Sequence, residues 1–338
     1  MLQEKELTQP VDLCLPNGRL NPLAVGWSRQ PLQNCRLYGH PLRKKRWNYW
    51  CITSPTHLFS VTLSNVDYAG LPFVYFLDFE TGEFIEKTII TPLGKDVQLG
   101  DRVPDDASYA GKGCQISMLS GIGGVQMLVE IADFGGKKLQ AEFQITEPEN
   151  HESLNVVVPW SEKLFQFTAK NNTLPTEGKV VLDESQIVFD LQNSFATLDF
   201  GRGVWPYKGF WNWASFSTRL SDGRTLGVNF GAGWTDNTGS TENALCMDGR
   251  LIKLSEDVIF TYSTQDFKAP WKIQTAETKR VDLTFTPFFE RIAKTDMAII
   301  RSEVHQMIGH FDGTISEGGE VVQVSQAVGW AEDHHARW

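Results

Sequence analysis

The amino-acid sequence predicts an all-β protein built from two related antiparallel units. Three observations support this prediction: apolar and polar side chains alternate with a period of two, turn sequences join the alternating segments, and the two halves of the chain contain similar short sequences. No long segment has a convincing helical period. Short helices near 1–7 and 294–299 are the helical alternatives.

Alternating segments joined by tight turns recur along the chain. Ile187, Phe189 and Leu191 share one face of the segment that follows a polar turn at 183–185. Asp-Gly pairs at 222–223 and 248–249 separate further alternating segments, and Asp-Gly is a strong hairpin signal because glycine accepts a positive φ. Turn sequences at 80–83, 134–137 and 317–320 predict additional hairpins.

The two halves of the chain share three short sequence similarities in the same order. Residues 46–50 resemble 210–214, the turn at 81–87 resembles 248–253, and residues 138–143 resemble 280–285. Each match alone is at chance level, but three in one order favour a duplicated β-unit. A stretch rich in Asn, Pro and Gly at 171–178 predicts the boundary, which gives an N-terminal unit, 1–175, and a C-terminal unit, 176–338.

Composition limits the expected partners. The chain has 338 residues, of which 41% are hydrophobic, and a formal net charge of −10. This acidity argues against nucleic acid and anionic membrane surfaces as partners. The sequence shows neither a signal peptide nor an apolar run of the roughly 20 residues that span a bilayer, so we expect a cytoplasmic protein without membrane insertion. Five scattered cysteines without Cys-x-x-Cys spacing predict reduced thiols. Because the histidines are also scattered and no dinucleotide-binding motif is present, we expect neither a metal nor a cofactor. The oligomeric state stays open.

The segment 199–248 holds the densest group of candidate ligand-binding side chains. Trp205, Trp211 and Trp213 offer a large apolar surface with N–H donors, which suits a prenyl chain, a polycyclic ring or the face of a sugar. Ordinary core packing is an equally compatible alternative. The other predicted ligand-binding residues are Arg202, Lys208, Asn229, Trp234, Asn243 and Trp338.

Two carboxylates are predicted to be catalytic. Glu242 follows a Gly-rich loop and enters the apolar segment 244–247, where burial would raise the pKa of a carboxyl toward the range of a general acid. A solvated loop carboxylate is the alternative for Glu242. For Asp199 the alternative is a structural ion pair with Arg202. The Gly-rich loop lacks the spacing of a phosphate-binding loop.

The C-terminal segment 329–338 combines acid, Arg and Trp with adjacent histidines. Neighbouring residues on a strand point to opposite faces, so His334 and His335 are not expected to bind one metal ion. We expect this segment to pack near Trp205 rather than extend into solvent. Its role stays open.

Several motifs resemble a bacterial and fungal family of unknown function labelled DUF2804. They are found at 198–206, 231–236, 241–244 and 337–338, and the likeness covers nearly the whole chain. The family label implies no activity. In architecture the chain is similar to calycin-like proteins with two lipocalin-type domains, which include carotenoid 1,2-hydratases, tocopherol cyclases and AttH-like proteins. This similarity implies two lipocalin-like antiparallel β-barrel or half-barrel units packed together, an apolar cavity and acid-initiated chemistry on an alkene.

The first functional hypothesis is a protein that binds a hydrophobic, lipid- or prenyl-like small molecule and acts as a hydratase, cyclase or isomerase. Glu242 or Asp199 would deliver a proton to the alkene, and the tryptophans would stabilise the resulting cation. Three alternatives stay open. They are a non-catalytic carrier, a carbohydrate-active protein with a Trp-lined cleft and a carboxylate acid/base pair, and a structural module.

Overall fold

The computed structural model describes residues 2–111, 113–297 and 300–337. Within these ranges the chain is built of β-strands, and the one helical element there is a single 3-10 turn, Pro22–Ala24. The all-β prediction is confirmed. The suggested helices at 1–7 and 294–299 do not form in their described parts, and residues 294–297 belong to a long strand.

The chain forms two compact units, residues 7–204 and residues 205–338 together with 1–6. Each unit is a curled antiparallel half-barrel. No helix in the described residues is long and apolar enough to cross a bilayer. All five cysteines are buried and free.

The first unit contains a large curled sheet and a small parallel pair. Its strands are β1 Val11–Asp12, β2 Trp27–Ser28, β3 Gln33–Asn34, β4 Lys44–Thr53, β5 His57–Asn65, β6 Ala69–Gly70, β7 Phe73–Asp78, β8 Phe84–Thr88, β9 Thr91–Pro92, β10 Val97–Leu99, β11 Ala107–Gly111, β12 Cys114–Gly121, β13 Gly124–Phe134, β14 Lys137–Thr146, β15 Leu154–Pro159, β16 Phe165–Leu182, β17 Ser185–Phe189 and β18 Phe195–Val204. The main path of the sheet runs β10-β11-β12-β13-β14-β16-β18-β4-β5-β6-β9.

The strands of the first unit alternate between core and surface, as the sequence predicts. Strand β13 shows the pattern well: Val125, Met127 and Val129 are buried, whereas the intervening residues are exposed. Phe59, Phe143 and Phe189 belong to the same core. A small, partly open pocket beside this core has a volume of about 10 Å³, enough for a single water molecule.

The second unit is one antiparallel sheet with three unusually long strands. Its strands are β19 Lys208–Arg219, β20 Thr225–Ala232, β21 Ala244–Met247, β22 Arg250–Lys253, β23 Val258–Thr261, β24 Trp271–Thr275, β25 Val281–Met297, β26 Ile300–Glu317 and β27 Glu320–Arg337. Their order is β22-β21-β20-β19-β27-β26-β25-β24-β23. The side chains of Phe216, Trp271, Phe285 and Phe311 pack against one another in the core. In the described residues, each unit thus has a core packed by its own side chains.

The predicted hairpins form at several of the glycine turns. Asp248 and Gly249 have φ of 47° and 75°, and Gly135 with Gly136, and Gly318 with Gly319, are also at positive φ. Such pairs of positive φ match the right-handed twist of the strands they join.

The strand order repeats between the units. The path β14-β16-β18-β4-β5 of the first unit corresponds to β25-β26-β27-β19-β20 of the second. The three sequence similarities fall on corresponding elements: strands β4 and β19, the turns that precede β8 and β22, and strands β14 and β25. This is the placement that a duplicated β-unit requires.

The polar stretch 171–178, where sequence analysis places the boundary, lies inside strand β16. The N-terminal half of β16 pairs with β15 and β18, and its C-terminal half pairs with β14 and β17. The pairing shifts register between Asn171 and Leu174, and Thr173 has a φ of 57°. The first part of this stretch therefore forms a bulge within one long strand, whereas the units divide between Val204 and Trp205.

Candidate functional site

Strand β19 places its tryptophans on the face opposite the core. Ala214 and Phe216 belong to the core of the second unit, so Trp211 and Trp213 point to the other face. The indole N–H of Trp213 donates to Asn229 Oδ1 at 2.7 Å, and its ring packs edge-on against Trp330.

Three tryptophans pack together on this face; we call Trp205, Trp211 and Trp234 the tryptophan stack. The Trp205 and Trp234 rings are 5.3 Å apart and nearly parallel, at 24°. The Trp205 and Trp211 rings are 5.5 Å apart and tilted by 56°. Trp205 and Trp234 are buried, whereas Trp211 is half-buried. Trp211 is therefore the member of the stack nearest to solvent.

Glu242 is buried directly against the stack. Its side chain accepts a hydrogen bond from the Trp234 indole N–H, and only 2% of the residue is exposed. The carboxylate lies flat on Gly231, where an added Cβ would stand 2.0 Å from Oε1. Any side chain at 231 would therefore displace the carboxylate from this position.

The two predicted asparagines hold the backbone around Glu242. Asn229 Nδ2 donates to the Glu242 carbonyl at 2.6 Å, and the Gly231 N–H donates to Asn243 Oδ1 at 2.7 Å. Asn243 Nδ2 donates to the Glu256 carbonyl at 3.0 Å. Both amides thus position the loop that carries Glu242.

A lysine lies within electrostatic range of Glu242. Lys253 forms an ion pair with Glu4 at 2.6 Å and donates to Thr241 Oγ1 at 2.5 Å. Burial lowers the pKa of Lys253, while the charges of Glu4 and Glu242 oppose this shift. The N-terminal segment therefore supplies the direct counter-ion of this lysine.

A second buried carboxylate, Glu332, contacts the other end of the stack. It accepts the Trp211 indole N–H at 3.0 Å and the Gln306 amide N–H at 3.2 Å. Sequence analysis singled out the C-terminal segment but not this residue. A usable signal was the alternation along β27, which puts Glu332 on the same face as Trp330 and His334.

The C-terminal segment pairs with β19, beside the tryptophan stack. Strand β27 runs along β19, with His334 opposite Trp211, and their rings are 4.0 Å apart. Burial, Arg291 and His335 lower the pKa of His334 to about 3, so this imidazole is neutral near pH 7. The expectation that this segment packs near Trp205 is confirmed for its described residues, and Trp338 lies outside them.

On the core side of β27, Asp333 forms a separate polar group. It accepts the Tyr262 O–H at 2.5 Å, and His335 Nε2 lies 3.1 Å from its other oxygen. Burial and the bond to Asp333 raise the pKa of Tyr262. Within the described ranges, no three His, Cys, Asp or Glu side chains are grouped so that they could hold a metal ion.

Asp199, the second predicted acid, belongs to the first unit. It forms an ion pair with Lys170 at 3.0 Å and accepts hydrogen bonds from the Trp47 indole at 3.1 Å and Thr168 at 3.0 Å. The alternative of an ion pair with Arg202 is wrong. Residues three apart on a strand point to opposite faces, so Arg202 lies on the core side of β18.

Arg202 holds the backbone of the first unit. Its guanidinium makes five hydrogen bonds, to the carbonyls of Trp47, Gly201 and twice Gly100, and to Asn48 Oδ1. These bonds use all five N–H donors and leave none for a ligand. Burial lowers the pKa of Arg202 to about 9. Lys208, also predicted to bind ligand, is exposed at the start of β19.

The sequence model of one family, described as "Domain of unknown function (DUF2804)", matches residues 4–338. The chain belongs to this family. Among curated proteins, no match to this DUF2804 chain is found.

Solved structures with a similar architecture share little sequence with the DUF2804 chain. A putative AttH from Nitrosomonas europaea is 14% identical, with a TM-score of 0.46 over 86% of this chain and 92% of that chain. Kievitone hydratase from Nectria haematococca is 10% identical, with a TM-score of 0.47 over 87% and 90%. CghA is 7% identical, with a TM-score of 0.46 over 97% of both chains.

The DUF2804 site thus consists of three indole rings flanked by two buried carboxylates. Trp234 donates to Glu242, Trp211 donates to Glu332, and Trp205 packs against both tryptophans. Indole faces are electron-rich and attract cations, and carboxylates add negative charge beside them. The arrangement is suited to an apolar molecule in which positive charge is present or develops.

Proposed function

We propose that the second unit binds an apolar, unsaturated small molecule against the tryptophan stack, and that Glu242 transfers a proton to it. The observation that carries this proposal is the packing of a buried Glu242 against Trp234, which itself stacks on Trp205. The reaction class is acid-initiated alkene chemistry, namely hydration, cyclisation or isomerisation.

The proposed chemistry assigns a separate role to each group. Protonated Glu242 gives its proton to one alkene carbon, and a carbocation forms at the other. The indole faces of Trp205 and Trp211 stabilise this cation. Because the Trp234 N–H is directed at Oε1, the transferable proton resides on Oε2. Asn229 and Asn243 keep the loop in place during the transfer.

The burial of the tryptophans gives less support to the carbohydrate alternative. A sugar platform presents an open aromatic face to a groove, whereas Trp205, Trp213 and Trp234 are only 4%, 4% and 8% exposed. A carrier without catalysis would use the same stack. It differs from the proposal in having no requirement for Glu242.

The test begins with native mass spectrometry of protein purified without detergent, to detect a bound lipid or prenyl compound. Farnesol then serves as the binding probe, with affinity followed by isothermal titration calorimetry. We expect Trp211→Ala to weaken farnesol binding at least tenfold. Trp160→Ala, which removes another half-buried tryptophan from the first unit, is the matched control and should leave binding unchanged.

Catalysis is tested on the co-purified compound with Glu242→Gln, and Glu184→Gln in an exposed turn is its control. We expect Glu242→Gln to bind normally and to lose turnover at least a hundredfold, because an amide cannot donate a carboxylic proton. Equal farnesol binding by the wild type and Trp211→Ala would overturn the binding proposal. Full turnover by Glu242→Gln would assign the proton transfer to another acid, whereas no turnover by the wild type would leave the carrier alternative.

A further inference from the structure

The two units repeat the same indole–carboxylate contact in the same strand register. In the first unit Trp47 is opposite Gly201 on β18, and it donates to Asp199, two residues before Gly201. In the second unit Trp211 is opposite His334 on β27, and it donates to Glu332, two residues before His334. The donor–acceptor distances are 3.1 Å and 3.0 Å.

The residue that is paired with each carboxylate on the neighbouring strand also corresponds between the two units. Lys170 on β16 is opposite Asp199, and Gln306 on β26 is opposite Glu332. Each of these side chains contacts its carboxylate, at 3.0 Å and 3.2 Å. Three positions on corresponding strands therefore carry the same group: an indole donor, an acid and a polar nitrogen.

In the second unit the repeated contact lies at one end of the tryptophan stack. Trp205 packs against Trp211, and Trp234 packs against Trp205 and binds the second acid, Glu242. The tryptophan stack of the second unit therefore has a carboxylate at each end, Glu332 beside Trp211 and Glu242 beside Trp234. Lys253, the cation near Glu242, is bound directly by Glu4. At the other end, the charge of Arg291 acts on His334, whose Nδ1 lies 3.9 Å from Glu332 Oε1.

We infer that Glu332 is the second carboxylate of the ligand site, and that the molecule bound at the tryptophan stack is, or becomes, a cation. This inference rests on the proposed function and narrows it. A single acid suffices to protonate an alkene, whereas a carboxylate at the opposite end can stabilise the cation or remove a different proton from it.

Two carboxylates at opposite ends of the stack suit the migration of a double bond. Glu242 gives a proton to one alkene carbon and becomes a carboxylate, and the adjacent carbon becomes cationic. Glu332 removes a proton from the next carbon, whose C–H electrons form the new double bond. Glu332 then loses that proton to solvent, and Glu242 regains one from solvent. The net change is a shifted double bond with no oxidation and no water added, which favours isomerisation over hydration.

The experiment compares a cationic probe with its neutral carbon isostere, benzyltrimethylammonium and neopentylbenzene, by calorimetry and ligand-observed NMR. The ammonium group stands in for the carbocation, and a site complementary to the charged state binds its mimic more tightly. We expect the wild type to bind the cation at least tenfold more tightly than the isostere. In Glu332→Gln this ratio should fall below threefold, with the affinity for neopentylbenzene unchanged.

Two further variants keep the test informative. Glu303→Gln alters a partly exposed carboxylate next to β27 and should keep the wild-type ratio. If Glu332→Gln does not fold by circular dichroism, Glu332→Asp retains the charge on a shorter side chain, and we expect an intermediate ratio. Trp211→Phe retains a ring but not the N–H donor, and should also lower the ratio.

The outcomes separate this inference from the proposed function. Equal affinity of the wild type for both probes, or an unchanged ratio in Glu332→Gln and Glu332→Asp, would overturn the inference and leave apolar binding at the stack intact. If neither probe binds but farnesol does, the inference alone fails; if farnesol does not bind either, the proposed function fails as well. Preference for the cation that disappears in Glu332→Gln supports both.

Discussion

Glu4 and Lys253 form a buried ion pair in the second unit, with 2.6 Å between Oε2 and Nζ and side chains only 2% and 4% exposed. Glu4 also accepts the backbone N–H of Thr241 at 2.8 Å, and the N–H of Leu2 donates to the Ser255 carbonyl at 2.7 Å. The N-terminal segment is therefore part of the second unit, beside the loop that carries Glu242.

Glu4→Gln should destabilise the protein by about 3–5 kcal/mol, because removing one partner of a buried ion pair leaves an uncompensated charge. Urea unfolding at pH 7 measures this free energy. The matched control is Glu162→Gln, which breaks another 2.6 Å pair, Arg19–Glu162, whose side chains are 51% and 72% exposed. The control should cost less than about 1 kcal/mol. Equal losses in both variants would show that the Glu4 pair is not buried in solution.

Gly231→Ala should displace Glu242 from the tryptophan stack. The new Cβ would stand 2.0 Å from Oε1, and overpacking of this kind costs about 1–3 kcal/mol. Gly209→Ala is the control, since its Cβ would meet Trp205 at an ordinary 3.5 Å. The double variant Gly231→Ala with Glu242→Ala should regain most of the lost stability, measured by thermal unfolding. No recovery would mean that the clash lies elsewhere.

Local patterns predicted the strands and several of the turns, but not how distant strands bend and pair. Alternation and Asp-Gly turns depend on neighbouring residues, so hairpins such as that at Asp248–Gly249 follow from the sequence. The bulge at Asn171–Leu174 bends a strand between partners that are remote in the chain. The same Asn, Pro and Gly composition is typical of linkers, so composition alone could not separate the two.

Three tryptophans of the stack and Glu242 were among the residues proposed from the sequence. Glu332, which accepts the hydrogen bond of Trp211, was not. Trp205, Trp211, Trp234 and Glu242 come together because the segment 205–242 folds back on itself. Glu332 is 121 residues from Trp211, and the pairing of β19 with β27 brings it there. Asp199 and Glu242 share an acidic group but belong to different units.

Arg202→Lys should destabilise the first unit severely, by about 3 kcal/mol or more. A lysine retains the charge, but its three donors cannot replace the planar fork that binds the carbonyls of Gly100 and Trp47, and each buried group left unpaired costs about 1–3 kcal/mol. Urea unfolding provides the measurement, with Arg102→Lys on the surface as control. A loss equal to that of the control would contradict the structural role of Arg202.

His334 should make the protein sensitive to mild acid. Its pKa is about 3 in the folded state, against an ordinary value of 6.5, because desolvation and the nearby Arg291 and His335 disfavour the imidazolium form. Between pH 6.5 and 3 the unfolded chain binds a proton that the folded chain does not, so stability falls as the pH falls. The contribution between pH 7 and pH 5 is on the order of 2 kcal/mol.

His334→Gln removes this titration and should therefore show a smaller loss of unfolding free energy between pH 7 and pH 5, although packing on Trp211 is also lost at both pH values. Ser302→Ala is the control, since it removes the 2.8 Å contact to His334 Nε2 but keeps the imidazole. Urea unfolding at several pH values gives the slopes. A slope for His334→Gln as steep as those of Ser302→Ala and the wild type would show that His334 takes up its proton in the folded state.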